Sequence, residues 1–166
     1  MALRTVASPV YGQGYILSNS GDGSGARHTV AVQINGAGKS TKSALAWENK
    51  KKLEFPYVPC LLVWGDHMYY VADNGMAACH ELKTGKQVWR KRIDSDVTAS
   101  PVLIDGKIYA ISDSGEVHVF AAAPRYMPLG NSSVGERVSA TPAVADNRLY
   151  IRSDTHLFCI GKRAEK

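Results

Sequence analysis

The feature that most limits the fold of this chain is a repeat. A residue followed by proline and an apolar stretch recurs as Ser8-Pro9-Val10, Val58-Pro59-Cys60-Leu61, Ser100-Pro101-Val102-Leu103 and Thr141-Pro142-Ala143-Val144. The prolines are 50, 42 and 41 residues apart. Each opens an apolar stretch, a polar turn and a second apolar stretch. The turns read as Asp66-His67, Asp105-Gly106 and Asp146-Asn147, which suit tight hairpins. Tyr69, Tyr109 and Tyr150 follow them, and four residues after each comes an acid: Asp73, Asp113 and Asp154. Gly75 and Gly115 complete second turns. Landmarks that keep one mutual spacing mark a repeated structural unit.

A third strand is expected after the second turn, at His28 to Ile34, Met76 to Leu82, Glu116 to Ala121 and His156 to Ile160. A fourth follows in the first two repeats. It is introduced by Gly38-Lys39 and Thr84-Gly85-Lys86 and carries Trp47 and Trp89. Four short antiparallel strands in about 40 residues are the signature of a propeller blade. The expected fold is therefore all-β, a propeller of about four blades, with repeats at approximately 7–55, 56–98, 99–139 and 140–162 in one domain. Proline suits the first position of a strand, where no ladder bond is lost. No window of twelve residues sustains a helical apolar period without Gly or Pro. The best exception is Lys39 to Leu53, and Trp47 matches Trp89 by position, which favours a strand there. The extra length of the first repeat falls at Gly21 to Gly25 and Gly36 to Ser43.

Composition agrees with an ordinary globular chain. Of 166 residues, 45% are hydrophobic and 21% charged, which excludes disorder and collagen. The longest uncharged apolar run, Val58 to Gly65, is too short to span a bilayer. The net charge of +5 permits an anionic partner without demanding one. Three cysteines exclude a fully paired disulfide framework. The first residues contain no apolar segment of a secretory signal, so the chain reads either as cytoplasmic or as a piece of a longer exported one.

Ala78-Cys79-His80-Glu81-Leu82-Lys83-Thr84-Gly85-Lys86-Gln87-Val88-Trp89 resembles the tryptophan-docking motif of pyrroloquinoline-quinone-type propellers, commonly A-x-D-x-x-T-G-K-x-x-W. Ser100 to Tyr109 is similar to the start of the next blade in that family. The group includes quinoprotein dehydrogenases and an outer-membrane assembly lipoprotein. The resemblance implies the propeller fold, structural docking roles for Trp47, Trp89, Gly38 and Gly85, and an extracytoplasmic setting. Two departures stand out. His80 or Glu81 takes the place of the usual Asp. The third repeat, at Ala121 to Met127, has neither the Thr-Gly-Lys turn nor the Trp.

Other motifs carry less. Asn35 to Ser40 resembles the end of a phosphate-binding loop, but Gln33 stands where the first glycine is needed, and a strand follows instead of a helix. Gly21 to Gly25 has too few carboxylates for a calcium cage. Cys79, Val119 and Cys159 are 40 residues apart, and a position shared by Cys and Val reads as a small core site, as does Cys60. The five histidines show no pairing suited to zinc. Lys50-Lys51-Lys52 and Arg90-Lys91-Arg92 follow a tryptophan in each case and read as edge protection on outer strands, which makes nucleic acid an unfavoured partner. The recurring acids read as turn-formers, because an active site is one constellation and not a repeat.

The expected function is a non-catalytic scaffold that binds a protein, peptide or ligand. Tyr57, Trp64, His67 and Arg125 are the candidate interaction residues, since exposed aromatics and Arg anchor interfaces. Trp64 is placed in a two-residue excess at the first turn of its repeat. The alternative is a fragment of a quinone-dependent dehydrogenase, with pyrroloquinoline quinone and calcium as cofactors; no cofactor is expected under the first reading. The fourth repeat lacks an outer strand. Residues Ala2 to Val6 are expected to pair beside residues 156–160, within one chain or across a homodimer that completes a larger ring.

Overall fold

The structure, a computed structural model, describes residues 3–34 and 44–161. Gly38, the glycine turn around it and the phosphate-loop-like segment lie outside the described residues. Fifteen strands among the described residues form four antiparallel sheets. Blade 1 holds β1 (Val10–Gly12), β2 (Tyr15–Gly21), β3 (Arg27–Gln33) and β4 (Leu45–Asn49). Blade 2 holds β5 (Leu62–Trp64), β6 (His67–Val71), β7 (Met76–Glu81) and β8 (Gln87–Arg92). Blade 3 holds β9 (Val102–Ile104), β10 (Lys107–Ile111), β11 (Glu116–Ala121) and β12 (Pro128–Ser133). Blade 4 has three strands, β13 (Ala143–Ala145), β14 (Arg148–Arg152) and β15 (Leu157–Ile160). Each sheet runs in chain order from the innermost strand outward. The chain is a four-bladed all-β propeller arc.

Turn chemistry explains the hairpins. Asp105 and Gly106 both have positive φ, as do Asp146 and Asn147, and as do Gln13 and Gly14 in blade 1. That is the two-residue turn whose twist matches the flanking strands. Blade 2 differs. Trp64 pairs with His67, so Gly65 and Asp66 are the central residues, and the turn lies one position before the Asp66-His67 pair expected from the sequence. Trp64 ends β5 at the position of Ile104 in β9 and Ala145 in β13, so the two-residue excess of this repeat falls before the strand, not in the turn. Blade 3 adds β12, which the sequence did not announce. Gly130 pairs with Val119 where Trp47 pairs with Ala31 and Trp89 with Cys79. All three outer pairings carry a register shift at the same place, next to that position.

The blades pack face against face through three apolar layers. Leu17 and Ala31 of blade 1 meet Met68, Tyr70 and Ala78 of blade 2. Tyr69, Val71 and Cys79 on the other face of blade 2 meet Ile108, Ala110 and Phe120 of blade 3. Ile111 and Val117 of blade 3 meet Leu149 and Ile151 of blade 4. The alternation of side chains along each strand divides every blade between its two neighbours.

The acids repeated after the tyrosines act over a longer range than a turn. Asp73 Oδ2 and Oδ1 accept the backbone N–H groups of Tyr57 and Val58 at 2.6 and 3.0 Å. Asp113 accepts from the backbone and hydroxyl of Thr98 at 2.7 and 3.0 Å. They bind the entry loop of their own blade to its second turn, which corrects the purely local role.

The N-terminal segment does not fill the vacant edge of blade 4. Gly21 N donates to Arg4 O at 2.9 Å, and the same contact recurs between Asp113 N and Asp96 O and between Asp154 N and Arg137 O. Residues 3–8 therefore hold the position of the entry loops 95–100 and 136–141. Among the described residues, β15 pairs with β14 alone. The closure over residues 156–160 within one chain is thereby overturned, because residues 3–8 form an entry loop and the outer strand of a blade ends several residues ahead of its successor's entry loop. Cys159 is corrected as well: it is exposed, whereas Cys79 at the same position is buried and Cys60 is half-buried. Arg90 to Arg92 lie on the exposed strand β8 as expected, but Lys50 to Lys52 fall just beyond the end of β4.

Candidate functional site

Hairpin loops and outer turns meet at one end of the arc, and entry loops at the other. The two ends follow from the strand directions. Leu82 N donates to Asp66 O at 2.9 Å and Ala122 N to Gly106 O at 2.8 Å, which ties the outer turns to the hairpins. Trp64, His67 and Arg125 stand at this hairpin end. Tyr57 stands at the opposite end, beside Asp73. The structure thus brings three of the four candidate residues to one end of the propeller and separates the fourth.

Trp64 is 49% exposed, and its indole lies over the hairpin of the next blade, 3.8 Å from where a Cβ on Gly106 would stand. It bridges two hairpins and keeps half its surface free. His67 is half-buried, with its ring centroid 6.3 Å from that of Tyr69. Arg125 is exposed on the β11–β12 connection, and its Nε lies 3.2 Å from Met127 Sδ. A cleft of about 580 Å³ opens beside His67, between blades 1 and 2. Gln13 and Tyr15 line one wall, and Asp66, Glu81 and Lys83 the other. Asp66, Glu81 and Lys83 place charged and hydrogen-bonding groups on that wall, beside the apolar surfaces of Tyr15 and Leu82. Sequence reasoning found His67 and missed the cleft, since Gln13 and Lys83 are 70 residues apart and only blade packing joins them.

At the opposite end, the Tyr57 ring sits between two guanidinium groups. Arg27 Cζ is 5.5 Å and Arg4 Cζ 5.9 Å from its centroid. Arg27 is buried, donates to Phe55 O at 3.0 Å and lies 3.6 Å from Asp73 Oδ2. Tyr57 thereby helps to hold blade 1 against the blade 2 entry loop.

The docking residues tie blades together in a chain. Trp47 Nε1 donates to Leu82 O of blade 2 at 2.8 Å, and Trp89 Nε1 donates to Ala123 O of blade 3 at 2.9 Å. The acid place of the docking motif is resolved by contact: Glu81 Oε2 accepts from the Thr84 hydroxyl at 2.6 Å across the turn. His80 is buried. Its Nδ1 donates to Gly85 O at 2.9 Å, and its Nε2 lies 3.1 Å from the Tyr70 hydroxyl. Burial holds this imidazole below its ordinary pKa.

Pyrroloquinoline quinone with calcium would need a free indole to stack on and a cage of oxygen ligands. The indoles of Trp47 and Trp89 are taken up in blade junctions, and no three His, Cys, Asp or Glu side chains among the described residues converge. Trp64 alone keeps a half-exposed indole, and no oxygen cage is described beside it.

Residues 40–125 match the family model described as outer membrane protein assembly factor BamB, and they make up just over half of the sequence. The chain belongs to the BamB-like family of pyrroloquinoline-quinone-type propellers. Within the family, it is 32% identical over 89 residues to the outer membrane protein assembly factor BamB of Burkholderia pseudomallei (strain K96243), covering 54% of this chain and 23% of that one. It superposes on the crystal structure of BamB from Moraxella catarrhalis with a TM-score of 0.70 at 16% identity, over 98% of this chain and 46% of that one. The computationally designed Ika4 protein matches with a TM-score of 0.69 at 14% identity, over 97% and 94% of the two chains. This chain spans less than half the length of the BamB proteins it matches.

Proposed function

We propose that this BamB-like propeller is a non-catalytic scaffold that holds a protein partner at its hairpin end, and that the partner belongs to outer-membrane protein assembly. The observation that carries this reading is the half-exposed indole of Trp64, which is braced over the Gly106 hairpin. A large aromatic held rigidly and left half in water is what an interface anchor requires. Arg125 and the cleft beside His67 extend the surface with charge and hydrogen-bonding groups. The name of the matched relatives supplies the class of partner.

The test is a binding titration with purified components of an outer-membrane assembly machinery and with an unfolded outer-membrane barrel protein. The Trp64→Ala variant is expected to bind at least about tenfold more weakly, as for an anchor worth about 1.4 kcal/mol, at a temperature where its circular dichroism still matches the parent's. Equal affinity for parent and variant would remove the hairpin end as the binding surface. Dye reduction by an alcohol after addition of pyrroloquinoline quinone and calcium would overturn the non-catalytic reading.

A further inference from the structure

The exit of blade 1 departs from the exits of the two blades that follow it. In each, one backbone N–H after the outer strand donates to the glycine carbonyl of the second turn: Leu53 N to Gly25 O at 3.1 Å, Ile93 N to Gly75 O at 3.0 Å and Val134 N to Gly115 O at 3.0 Å. Ile93 and Val134 are half-buried and pack into the apolar layers between blades. Leu53 holds the same place, yet it is 48% exposed and has a φ of +54°. A leucine in the left-handed region is strained, and such strain points to a use for the outward side chain.

The chain that leads to this leucine is also longer. Two steps separate Lys91 from Ile93 and Ser132 from Val134, whereas four separate Asn49, at the matching register position, from Leu53. The extra residues fall within Lys50-Lys51-Lys52. Lys51 and Lys52 stand beyond β4, so protection of a strand edge does not account for them. Arg90 and Arg92 pair with Ala78 and Met76, which pack towards blade 1, and so stand on the blade 1 side of β8. Arg90 Nη2 donates to Leu53 O at 3.0 Å and braces the turn from the next blade. All four of these cations are exposed. The neighbouring carboxylates leave them open. Glu54 Oε2 lies 3.4 Å from Lys51 Nζ, which stays 77% exposed; Glu48 is paired with Lys50, and Asp94 with His118. Asp22 accepts the Ser24 N–H and hydroxyl at 2.9 and 2.6 Å.

We propose that this turn is a contact site for the surface of an anionic phospholipid bilayer, with Leu53 entering the headgroup layer and Lys51, Lys52, Arg90 and Arg92 meeting lipid phosphates. An apolar tip among cations matches the layering of that surface, where phosphates lie outermost and apolar chains just beneath. Nucleic acid suits the turn less, because its bases stack on aromatic rings, and the indoles of Trp47 and Trp89 are taken up in blade junctions. The proposal goes beyond the scaffold reading and does not depend on it, since Leu53 lies at the entry end of the blades and Trp64 at the hairpin end.

Co-sedimentation of the 166-residue protein with lipid vesicles tests this. One set mixes phosphatidylglycerol with phosphatidylcholine, and the other is phosphatidylcholine alone. The parent is expected to bind the anionic vesicles at least about tenfold more strongly than the neutral ones, and added salt should weaken that binding. Lys51→Glu combined with Lys52→Glu should lower it at least about tenfold. Leu53→Asn should lower it about threefold or more with melting close to the parent's, because asparagine accepts the left-handed backbone more readily than leucine. No binding, equal binding to both sets, binding that persists in the charge-reversed variant, or a Leu53→Asn variant that binds like the parent would each overturn the proposal. Tighter retention by single-stranded DNA than by the anionic vesicles, lost in the same charge-reversed variant, would overturn it in favour of nucleic acid.

Discussion

The indole of Trp47 lies directly against the α-carbon of Gly85. A Cβ on that glycine would come within 2.7 Å of the ring, and its φ of +70° is one that side chains rarely adopt. Blade 1 is thereby locked to the Thr84-Gly85-Lys86 turn of blade 2, with Trp47 Nε1 reaching past it to Leu82 O. The turn does two jobs: it folds its own outer strand back and receives the indole of the preceding blade.

Gly85→Ala is expected to destabilise the chain by about 1–3 kcal/mol, from the left-handed backbone alone, with the steric clash adding to it. Trp47→Phe keeps a ring on the glycine and loses the N–H, for a cost of about 1 kcal/mol. Urea unfolding midpoints measure both. An alanine variant as stable as the parent would show that Trp47 does not dock on this turn.

Asp73 accepts two backbone N–H groups at the entry to blade 2. Asp73→Ala leaves both without that acceptor and should cost about 1–3 kcal/mol. Hydrogen exchange gives the local signature, with the amides of Tyr57 and Val58 expected to lose protection before the strand amides of β6 and β7.

His80 sets a pH dependence near neutrality. Burial lowers its pKa in the folded state from the ordinary 6.5, so the unfolded chain binds the proton more readily. Its contribution to stability is complete above that value and is lost as pH falls below it. The urea midpoint of the parent should therefore drop between pH 7 and pH 5, and His80→Gln should flatten that drop. An unchanged slope would mean that the imidazole is not held neutral.

Glu136 acts at lower pH. Its carboxylate accepts from the hydroxyls of Ser153 and Thr155, with the latter at 2.7 Å, and lies 2.6 Å from His156 Nδ1. These contacts, the Ser153 bond foremost, push its pKa down to about 2 from the ordinary 4.5. Its stabilising effect is present above 4.5 and fades as pH falls towards 2. Glu136→Gln should melt below the parent at pH 6, and the two curves should converge near pH 2.

Much of the fold was legible because propeller blades are local. Each hairpin closes within a few residues, so the alternation of apolar positions and the turn residues at 105–106 and 146–147 carry the information on their own. Strand β12 escaped because Gly130 replaces the tryptophan and an Ala-Pro connection replaces the glycine turn; pairing with β11 holds it in place instead. The hairpin of blade 2 was misplaced by one residue because Gly65 and Asp66 share the turn preference, and only the pairing of Trp64 with His67 fixes which two are central.

The sequence by itself determined the number of blades, the order of strands within them and the core position of Cys79, since these depend on period and local turns. Tertiary structure alone decided which equivalent positions are covered. Cys79 and Cys159 read alike along the chain, yet one is buried under blade 3 and the other lies open, because burial belongs to the neighbouring blade and not to the residue. The same cause separates Tyr57 from Trp64: seven residues apart in sequence, they lie at opposite ends of blade 2 because β5 carries the chain from the entry side to the hairpin side.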